Sequence, residues 1–540
     1  MNLLRFFGRS CWLVVFVSAM ALVMAGCASD DVDEGESENG DTTRCAAGEE
    51  WNPIHEACEP SGDDPPSGPQ SQLDAGNDGQ NSGDLQGDAG DEESDVEEPE
   101  PGSDTDLTTE PDVEPEPEPD TGPPINCEDY TTLSGKVTIP AGNLPLPEAT
   151  VYIPDGPLQD FPQGASCQRC GEELSTTAVM DTITDVNGDF QLQQVPVAED
   201  IPLVVEVGKW RRKTVVPEVN PCGVTDVDPS ETRLPRNSDE GHLPRIAVTT
   251  GECDALECLI RKIGISDSEI TTDDGDGRVH LFSGRLGTER FADDFNDGAA
   301  FSDATQWWTE ADNLLEYDIV VHSCECDTYV SDKEDGMEAF QEFVDSGGRA
   351  FLSHLHYAWL RSGTSDMQSV ADWRLLAAPG GMDQSATGYI NDSFPKGQIL
   401  YNWMHNTGTN PPGEFDIYEV RGSVDSINED LVQDWISIFE DGSLFPGQGG
   451  QVEEFIQYFS FNTPVGIDEE DQCGRVVFSD IHVSAREMSM GSERDISSPD
   501  HPYPTGCVTD DFSDQEKALV YMFFDLSACI IPDGVKKGEW

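Results

Sequence analysis

The sequence predicts a multidomain chain: a disordered acidic stalk, an all-β sandwich and an open, mostly parallel α/β sheet. Three observations support this order. Residues 27–125 are acidic, rich in Pro, Gly and Ser, and poor in the apolar residues that a core needs. Short alternating strands with turn signals fill residues 126–222. After a connector over 223–242, apolar strands alternate with helical patterns over 243–532, as in βα units, and a tail follows at 533–540.

The first residues carry the pattern of a secretory signal. Arg5 and Arg9 precede an apolar run over residues 12–24, and small residues then lead to Cys27. The run is shorter than the roughly 20 residues that a membrane-spanning helix needs, so we expect a cleaved signal. The segment resembles a bacterial lipoprotein signal with its lipobox. That resemblance implies removal of residues 1–26 and lipidation of Cys27.

The residue after the lipidation site and the net charge limit the location and the partners. Ala28 follows the cysteine, which by analogy with Gram-negative sorting implies a lipid anchor in the outer membrane, facing the periplasm or the cell surface. A net charge of −78 excludes electrostatic attraction to nucleic acid. We therefore expect the membrane, through the lipid, and an unidentified envelope ligand or protein as partners.

Fifteen cysteines indicate disulfides. Cys11 leaves with the signal and Cys27 carries lipid, so thirteen remain in an exported, oxidising context. Because thirteen is odd, we expect at least one free thiol or a bond between chains. The sequence does not give the connectivity; the candidate disulfide cysteines are Cys45, Cys58, Cys167, Cys170, Cys324 and Cys326.

One island interrupts the stalk. Cys45 and Cys58 flank Trp51 and Ile54. We expect the two cysteines to close a microdomain that is too small to fold without a disulfide. The rest of the stalk has too few apolar residues to form a core. It predicts an extended, disordered segment that holds the globular part away from the membrane.

The strands of residues 126–222 predict a small sandwich. The pieces "SGKVT", "PLPEATVYI" and "TDVNGDFQLQQVP" alternate as strands, and Asn187-Gly188 is a strong hairpin signal. Their order resembles the carboxypeptidase regulatory-like domain, a transthyretin-like β-sandwich. The resemblance implies a non-catalytic module.

An insert departs from that family pattern. It carries Cys167 and Cys170 as C-x-x-C. A single C-x-x-C is at most half of a zinc site, and no thioredoxin-like βαβ pattern surrounds it. We expect a disulfide, with Cys127 or Cys222 as partner.

The C-terminal region contains apolar runs that suit a sheet covered on both faces. "YDIVVHSCECD", "RAFLSHLHYAWL" and "CGRVVFSDIHVS" predict strands, and "MEAFQEFVDSGG" predicts a helix with a glycine stop. Ser513 predicts the cap of a last amphipathic helix. Repeated βα units indicate an open sheet.

Two of these stretches carry a second resemblance. "MEAFQEFVDSGGRAFLSHLHYAWL" and "GRVVFSDIHVS" are similar to the class I glutamine-amidotransferase-like fold, including its trehalose-utilisation branch. The resemblance implies a nucleophile elbow after the strand at 349–353 and a catalytic histidine at His482. The elbow stretch "FLSHLHYAW" has no cysteine, and Ser353 lacks the G-x-S-x-G context of an exposed serine. The sequence therefore predicts a degenerate site.

His354 and His356 form an H-x-H pair. On a strand, both imidazoles would share one face. With His482 at a neighbouring strand end, they predict a cleft and a candidate zinc site with one open position, to which His322 and Asp480 are possible additions. Two alternatives stay open: a degenerate ligand-binding cleft and ordinary packing at strand ends.

Calcium is a second candidate metal. Asp273, Asp274 and Asp276 lie around glycines in "TTDDGDGRVH", and Asp185 and Asp189 do so in "TDVNGD". Neither stretch is a complete twelve-residue loop with a closing Glu. Solvated turns are the favoured interpretation, and no cofactor is assigned.

Cys324 and Cys326, in "HSCECD", are alternative nucleophiles. They lie one element before the amidotransferase elbow. Two cysteines two residues apart do not bond easily to each other. We expect each to form a disulfide elsewhere, with Cys473 or Cys507 as partners.

These observations predict a cell-envelope-anchored lipoprotein that is a non-catalytic binding or scaffolding protein with a degenerate amidotransferase-like domain. The missing cysteine at the elbow carries this prediction. The alternative is a metal-dependent or cryptic hydrolase that acts on cell-envelope sugars or peptides. The substrate or ligand is not determined by the sequence.

Overall fold

The computed structural model describes residues 49–52, 57–60, 127–171, 176–374, 384–440, 444, 452–485, 494–535 and 537–538. Contacts divide the chain into two units, residues 1–114 and 115–540. In the first unit, β1 (Glu49–Asn52) pairs antiparallel with β2 (Ala57–Pro60). The predicted signal, the lipidation site Cys27 and the Cys45 half of the predicted microdomain disulfide lie outside the described residues.

The second unit begins with two small sheets. One has three strands in the order β6–β3–β9, and the other has five in the order β10–β8–β7–β4–β5. Alternate side chains of β6 are buried, so one face of the smaller sheet packs inward. The strands are β3 Tyr130–Lys136, β4 Thr150–Pro154, β5 Ala178–Ile183, β6 Asp189–Pro196, β7 Ile201–Val207, β8 Trp210–Val216, β9 Val224–Asp226 and β10 Gly241–His242.

The turn at Asn187-Gly188 does not join a hairpin. β5 pairs with β4, and β6 pairs with β3, so the turn carries the chain from one sheet to the other. Asp185 accepts hydrogen bonds from the backbone N–H groups of Asn187 and Asp189 and so shapes the turn. The hairpin prediction was wrong because each strand finds its partner in a different sheet.

Disulfides join the small sheets to the rest of the unit. Cys167 and Cys170 form disulfides as predicted, but with Cys473 and Cys529. The expected partners were wrong because Cys127 and Cys222 bond to each other. The insert is thereby bonded to the large sheet.

The large sheet has eleven strands and is mixed. β12, β13, β11, β15, β16 and β23 lie side by side in parallel, with β14 also beside β13. β22, β21, β18 and β19 continue the sheet antiparallel. This antiparallel half comes from residues 385–463, where the sequence patterns predict no element.

The strands of this region are β11 Ile246–Thr249, β12 Ile270–Thr271, β13 Val279–Ser283, β14 Ser302–Asp303, β15 Ile319–His322, β16 Arg349–Ser353, β17 Ala371–Trp373, β18 Ser385–Ile390, β19 Glu414–Tyr418, β20 Val424–Ile427, β21 Gln433–Glu440, β22 Glu453–Thr463 and β23 Gly474–Ser479. β17 and β20 form a separate antiparallel pair. All residues of β11, β15, β16 and β23 are buried, as expected of central parallel strands.

The helices are α1 Pro229–Thr232, α2 Leu256–Lys262, α3 Ala304–Trp307, α4 Ala311–Leu315, α5 Val330–Lys333, α6 Met337–Asp345, α7 Ala358–Arg361, α8 Ser365–Gln368, α9 Pro395–Asn406 and α10 Asp514–Ser527. Short 3-10 turns cover Cys127–Asp129, Asp267–Glu269, Asn296–Gly298, Glu334–Gly336, His354–Tyr357 and Glu469–Asp471. Ser513 caps α10 through a capping box with Glu516, as its sequence predicts. Within the described ranges, no helix combines the length and the apolarity needed to cross a bilayer.

The parallel half of the sheet determines where polar side chains meet. Helix α10 shares one core cluster with Ile246, Ile319 and Val477, whereas α6 shares a second cluster with Val320 and Val476. The two clusters therefore lie on opposite faces of the sheet. Because parallel strands end at a common edge, the residues that follow β11, β15, β16 and β23 emerge side by side there.

Candidate functional site

Three side chains from different strand ends converge at this edge. The Sγ atom of Cys324 lies 3.5 Å from Nδ1 of His354. Nε2 of His482 lies 2.9 Å from the same Nδ1. The three potential ligand atoms all lie within 4.8 Å of one another. Cys324 is fully buried, His482 is 1% exposed, and His354 keeps 7% exposure.

His354 stands at a strained turn. β16 ends at Ser353, and the chain then enters the 3-10 turn His354–Tyr357 with a φ of 37° at His354. A left-handed backbone is costly for a residue other than glycine and persists only where the surroundings impose it. The turn after β16, where the sequence predicts an elbow, presents an imidazole.

His356 does not join the cluster. Because the strand ends before the H-x-H pair, the two imidazoles diverge instead of sharing a face. Nε2 of His356 donates to the carbonyl of Ser323 at 2.9 Å, and Nδ1 accepts from Nε1 of Trp359 at 3.2 Å. Burial, with help from Lys333 and His322, lowers the pKa of His356 well below its usual value. The predicted His354–His356–His482 ligand set is wrong in its second member.

His322 also lies outside the cluster. Its Nδ1 lies 3.1 Å from Oγ1 of Thr249, and its ring stacks on His356 at 4.9 Å between centroids. Burial lowers its pKa to about 3, with a further contribution from Lys333. His322 is thus a neutral packing residue.

Each clustered histidine faces a carboxylate with its other nitrogen. Nδ1 of His482 lies 3.3 Å from Oε2 of Glu419, and Nε2 of His354 lies 3.7 Å from Oδ1 of Asp480. Glu419 accepts a hydrogen bond from Arg494 at 2.9 Å. Asp480 accepts from both the N–H and the hydroxyl of Ser423, at 2.7 and 2.8 Å. Both carboxylates are therefore held in place by other side chains or backbone.

The two histidines differ in charge. Burial lowers the pKa of His482, but Cys324 and Glu419 outweigh it and raise the pKa to about 10. Burial and the neighbouring His482 and Arg421 lower the pKa of His354 well below its usual value. At neutral pH a protonated His482 therefore donates its Nε2–H to Nδ1 of a neutral His354. His354 then carries its own proton on Nε2, towards Asp480.

The backbone around Cys324 is fixed from several sides. Cys326 is bonded to Cys253, whose N–H donates to the carbonyl of Cys324 at 3.0 Å. Glu325 forms a buried ion pair with Lys333 at 2.7 Å. The disulfide prediction holds for Cys326, although its partner is Cys253 and not Cys473 or Cys507.

For Cys324, the disulfide prediction was wrong. It is the free thiol among the described cysteines. It lies inside, against His354, whereas Cys326 takes the bond to Cys253. The odd number of cysteines is consistent with one free thiol. The position of Cys324 just after β15, at the edge of the sheet, is the sequence signal that could have identified it as a site residue.

Ser353 has a positioning role. Its hydroxyl, fully buried, donates to Oδ2 of Asp254 at 2.7 Å. Asp254 also accepts from the backbone N–H groups of Val483 and Ser484. The carboxylate thus joins the end of β16 to the loop that carries His482.

The geometry of the cluster fits a tetrahedral metal ion. Zinc binds thiolate at about 2.3 Å and imidazole nitrogen at about 2.0–2.1 Å, so neighbouring ligand atoms around it lie roughly 3–4 Å apart. The sulfur–nitrogen separation of 3.5 Å lies within this range, and the nitrogen–nitrogen separation of 2.9 Å is slightly shorter. Ligand histidines usually donate their second N–H to a carboxylate. His482 is hydrogen-bonded to Glu419 in this way, and Nε2 of His354 lies 3.7 Å from Asp480.

The calcium stretches have ordinary turn contacts. Asp274 accepts from Thr272, and Asp273 accepts from Ser302. Asp185 is engaged by the Asn187 turn. Among the described residues, none of these aspartates belongs to a group of three potential ligands.

Comparisons with known proteins give little further information. No family model matches the chain, and no curated protein matches it. A ThuA-like protein of Bacteroides uniformis is similar in structure at 13% identity, over 52% of this chain and 90% of that one, with a TM-score of 0.26. A type II cohesin–X-dockerin complex of Acetivibrio cellulolyticus is similar at 12% identity, over 27% of this chain and 78% of that one, with a TM-score of 0.14.

Proposed function

We propose that Cys324, His354 and His482 bind a divalent transition metal and that the chain is a metal-dependent hydrolase. One observation carries the proposal: each imidazole faces the cluster with one nitrogen and a carboxylate with the other. Sulfur and nitrogen ligands select zinc over calcium, which prefers oxygen.

The chemistry follows from the ligand count. Three protein ligands leave a fourth position for water or substrate, as in catalytic zinc sites. A zinc ion there would lower the pKa of a bound water to about 7 and polarise a carbonyl. The protein holds the ligands: Glu419 orients His482, and Asp480 orients His354. Sugars or peptides of the cell envelope are the proposed substrates.

A second candidate is a thiol hydrolase. The free Cys324, the protonated His482 and Glu419 are the members that a thiol–imidazole–carboxylate triad requires. Two features favour metal binding instead. Cys324 is fully buried, and its sulfur contacts both His354 and His482, as a shared set of ligands requires. A metal ligand works when buried, whereas a nucleophile has to be reached.

The proposal includes the cell-envelope setting. Its support is the lipobox ending at Cys27, the acidic segment before residue 126 and the cysteine content. We propose a regulatory-like sandwich for the two small sheets and an amidotransferase-like origin for the parallel half of the large sheet. The support for the second is the order of the strands that end at Ser353 and Ser479.

The test is zinc binding by the full chain purified in detergent and freed of metal. We expect one zinc per chain by elemental analysis, and thiolate-to-metal absorption when Co²⁺ replaces zinc. Cys324→Ser and His482→Ala should abolish both signals. His405→Ala, which removes an exposed imidazole on α9, is the matched control and should change neither.

Other outcomes decide between the alternatives. Sub-stoichiometric zinc that Cys324→Ser does not change would contradict the metal centre. Metal-free hydrolysis that is abolished both by iodoacetamide in the wild type and by Cys324→Ser would favour the thiol hydrolase. A metal-free protein without hydrolytic activity would return the chain to the non-catalytic binding or scaffolding prediction.

A further inference from the structure

Two arginines meet beside the candidate site in a chain that has few cations. The sequence has 29 Lys and Arg residues against 107 Asp and Glu. Arg494 donates to Oε1 of Glu419 at 2.9 Å, and Nη2 of Arg421 lies 3.9 Å from Oε2 of the same carboxylate. Glu419 in turn contacts His482. One carboxylate therefore links both guanidinium groups to a proposed metal ligand.

Arg421 uses little of its hydrogen-bonding capacity. Its side chain is only 13% exposed. Within the described part of the chain, it donates one hydrogen bond, to the carbonyl of Val420 at 3.2 Å. A guanidinium has five N–H donors. Most of the donors of Arg421 are thus available to a ligand.

A buried arginine elsewhere in the molecule shows the contrast. Arg475 is 2% exposed and donates to Asn462, Ser460 and Asp533, and it also pairs with Asp525. Both of its terminal nitrogens, Nη1 and Nη2, have partners in the fold. Among the described residues, the fold thus supplies several partners to a structural arginine and one local hydrogen bond to Arg421.

The backbone around Arg421 is rigidly held. Glu419 has a left-handed φ of 54°. Nε2 of Gln457 donates to the carbonyl of Arg421 at 2.9 Å, and Ser423 is bound to Asp480. The guanidinium lies beside Glu419, the carboxylate that contacts His482, and so close to the cluster.

The exposure of these side chains increases outward. Cys324 and His482 are buried, Glu419 is 5% exposed, Arg421 is 13% exposed and Arg494 is 40% exposed. The two arginines are therefore the members of this group that solvent reaches most readily.

We propose that Arg421, assisted by Arg494, binds the carboxylate of an anionic substrate of this site. The inference rests on the proposed function, because it names the substrate class of the same centre. The planar fork of an arginine matches a carboxylate in a bidentate geometry. The substrate class is a monoanion with its carboxylate near the scissile amide or ester, such as an acylated amino acid or a peptide with a free C-terminus.

The local charge selects a monoanion over a phosphate dianion. With zinc bound, the metal would carry two positive charges and Arg421 and Arg494 one each, whereas the Cys324 thiolate, Glu419 and Asp480 would carry one negative charge each when ionised. The surplus is one positive charge. A single carboxylate neutralises it, and a second negative charge would face Glu419 and Asp480 without compensation.

The test compares three probes on the zinc-loaded full chain by calorimetry: N-acetylglycine, its neutral amide N-acetylglycinamide, and methyl phosphate. We expect the acid to bind about tenfold or more tightly than the amide and than methyl phosphate, because charge-assisted hydrogen bonds are strong ones. R421Q should remove that preference, and R421K should retain part of it. R245Q is the matched control, since Arg245 pairs with Glu316 before β11, at the opposite edge of the sheet.

Failure of this inference is distinguishable from failure of the metal centre. Equal binding of acid and amide, no binding of the acid, or an unchanged preference in R421Q would overturn it. Tighter binding of methyl phosphate would overturn the monoanion class. Acid binding that metal removal abolishes and R421Q spares would assign the carboxylate to the metal and also overturn it. Arginine-dependent binding in a chain that takes up no zinc would keep this inference and reject the metal.

Discussion

Two histidine clusters lie side by side at the same edge of the sheet, and they behave differently. In the first cluster, His354 and His482 contact a thiol and two carboxylates. In the second, His322 and His356 stack on each other, and the two nitrogens of His356 form hydrogen bonds with a carbonyl and an indole. Burial is nearly the same in both. The chemistry of the partners, not burial or spacing, separates a candidate ligand from a packing residue.

The largest expected effect is a loss of stability when the buried ion pair beside the second cluster is removed. Lys333→Met removes the cation that pairs with buried Glu325 at 2.7 Å. Removing one partner of a buried pair typically costs about 3–5 kcal/mol. We expect a loss of that order in the free energy of urea unfolding. Lys333→Met combined with Glu325→Gln should recover part of it, and an unchanged free energy would contradict the structural role.

The next largest effect is a loss of zinc affinity at the first cluster. Glu419→Gln should weaken zinc binding by about 10–100-fold, because an outer-shell carboxylate orients its histidine. Isothermal titration with zinc measures the change. Asp416→Asn, an exposed carboxylate on the strand that leads to Glu419, is the control and should leave affinity unaltered. Equal affinities in Glu419→Gln and wild type would mean that the carboxylate is not coupled to a metal ligand.

Opposite pKa shifts predict opposite pH responses in the metal-free protein. The pKa of His482 rises to about 10 on folding, so its contribution is fully present below about pH 6.5 and is lost as pH rises to about 10. The pKa of His356 falls well below its usual value, so its contribution is present above about pH 6.5 and is lost as pH falls. Each slope is at most about 1.4 kcal/mol per pH unit.

Both responses can be measured as unfolding free energies between about pH 5 and about pH 10. The proteins to compare are the wild type, His482→Gln and His356→Gln. His482→Gln should flatten the alkaline side and His356→Gln the acid side. The same slope in all three proteins would reject the assigned charge states.

The smallest effect concerns His356 and metal. His356→Gln should leave zinc stoichiometry at the wild-type level, because its nitrogens face Ser323 and Trp359. It should lower the free energy of unfolding by about 1–3 kcal/mol, the cost of an unsatisfied buried polar group. Elemental analysis and urea unfolding give the two values. Loss of zinc in this variant would restore His356 to the ligand set.

Local patterns predict the parallel strands well. The apolar runs before Thr250, Ser323 and His354 are strands that are buried throughout. Because parallel strands share an edge, the meeting of His354 and His482 also follows from the sequence. The prediction that His354 and His356 share one face is wrong because it assumes that the strand continues through them, whereas β16 ends at Ser353.

Other features depend on distant pairing. Glu419 and Arg421 follow β19, which reaches the sheet only through β18, β21 and β22. No local pattern gives that antiparallel order, so no motif brings these residues to the site. Whether Cys324 has a free thiol depends on which cysteine forms the disulfide with Cys253, and the spacing of the cysteines does not determine that pairing.

The bond between Cys170 and Cys529 encloses most of the second unit. Exposed loops at the surface of a protein are the preferred sites of proteolytic cleavage. A single cut anywhere between these two cysteines leaves both fragments covalently joined under oxidising conditions. The cleaved molecule therefore runs as one species on a non-reducing gel and as two after reduction, and its candidate site stays attached to the insert.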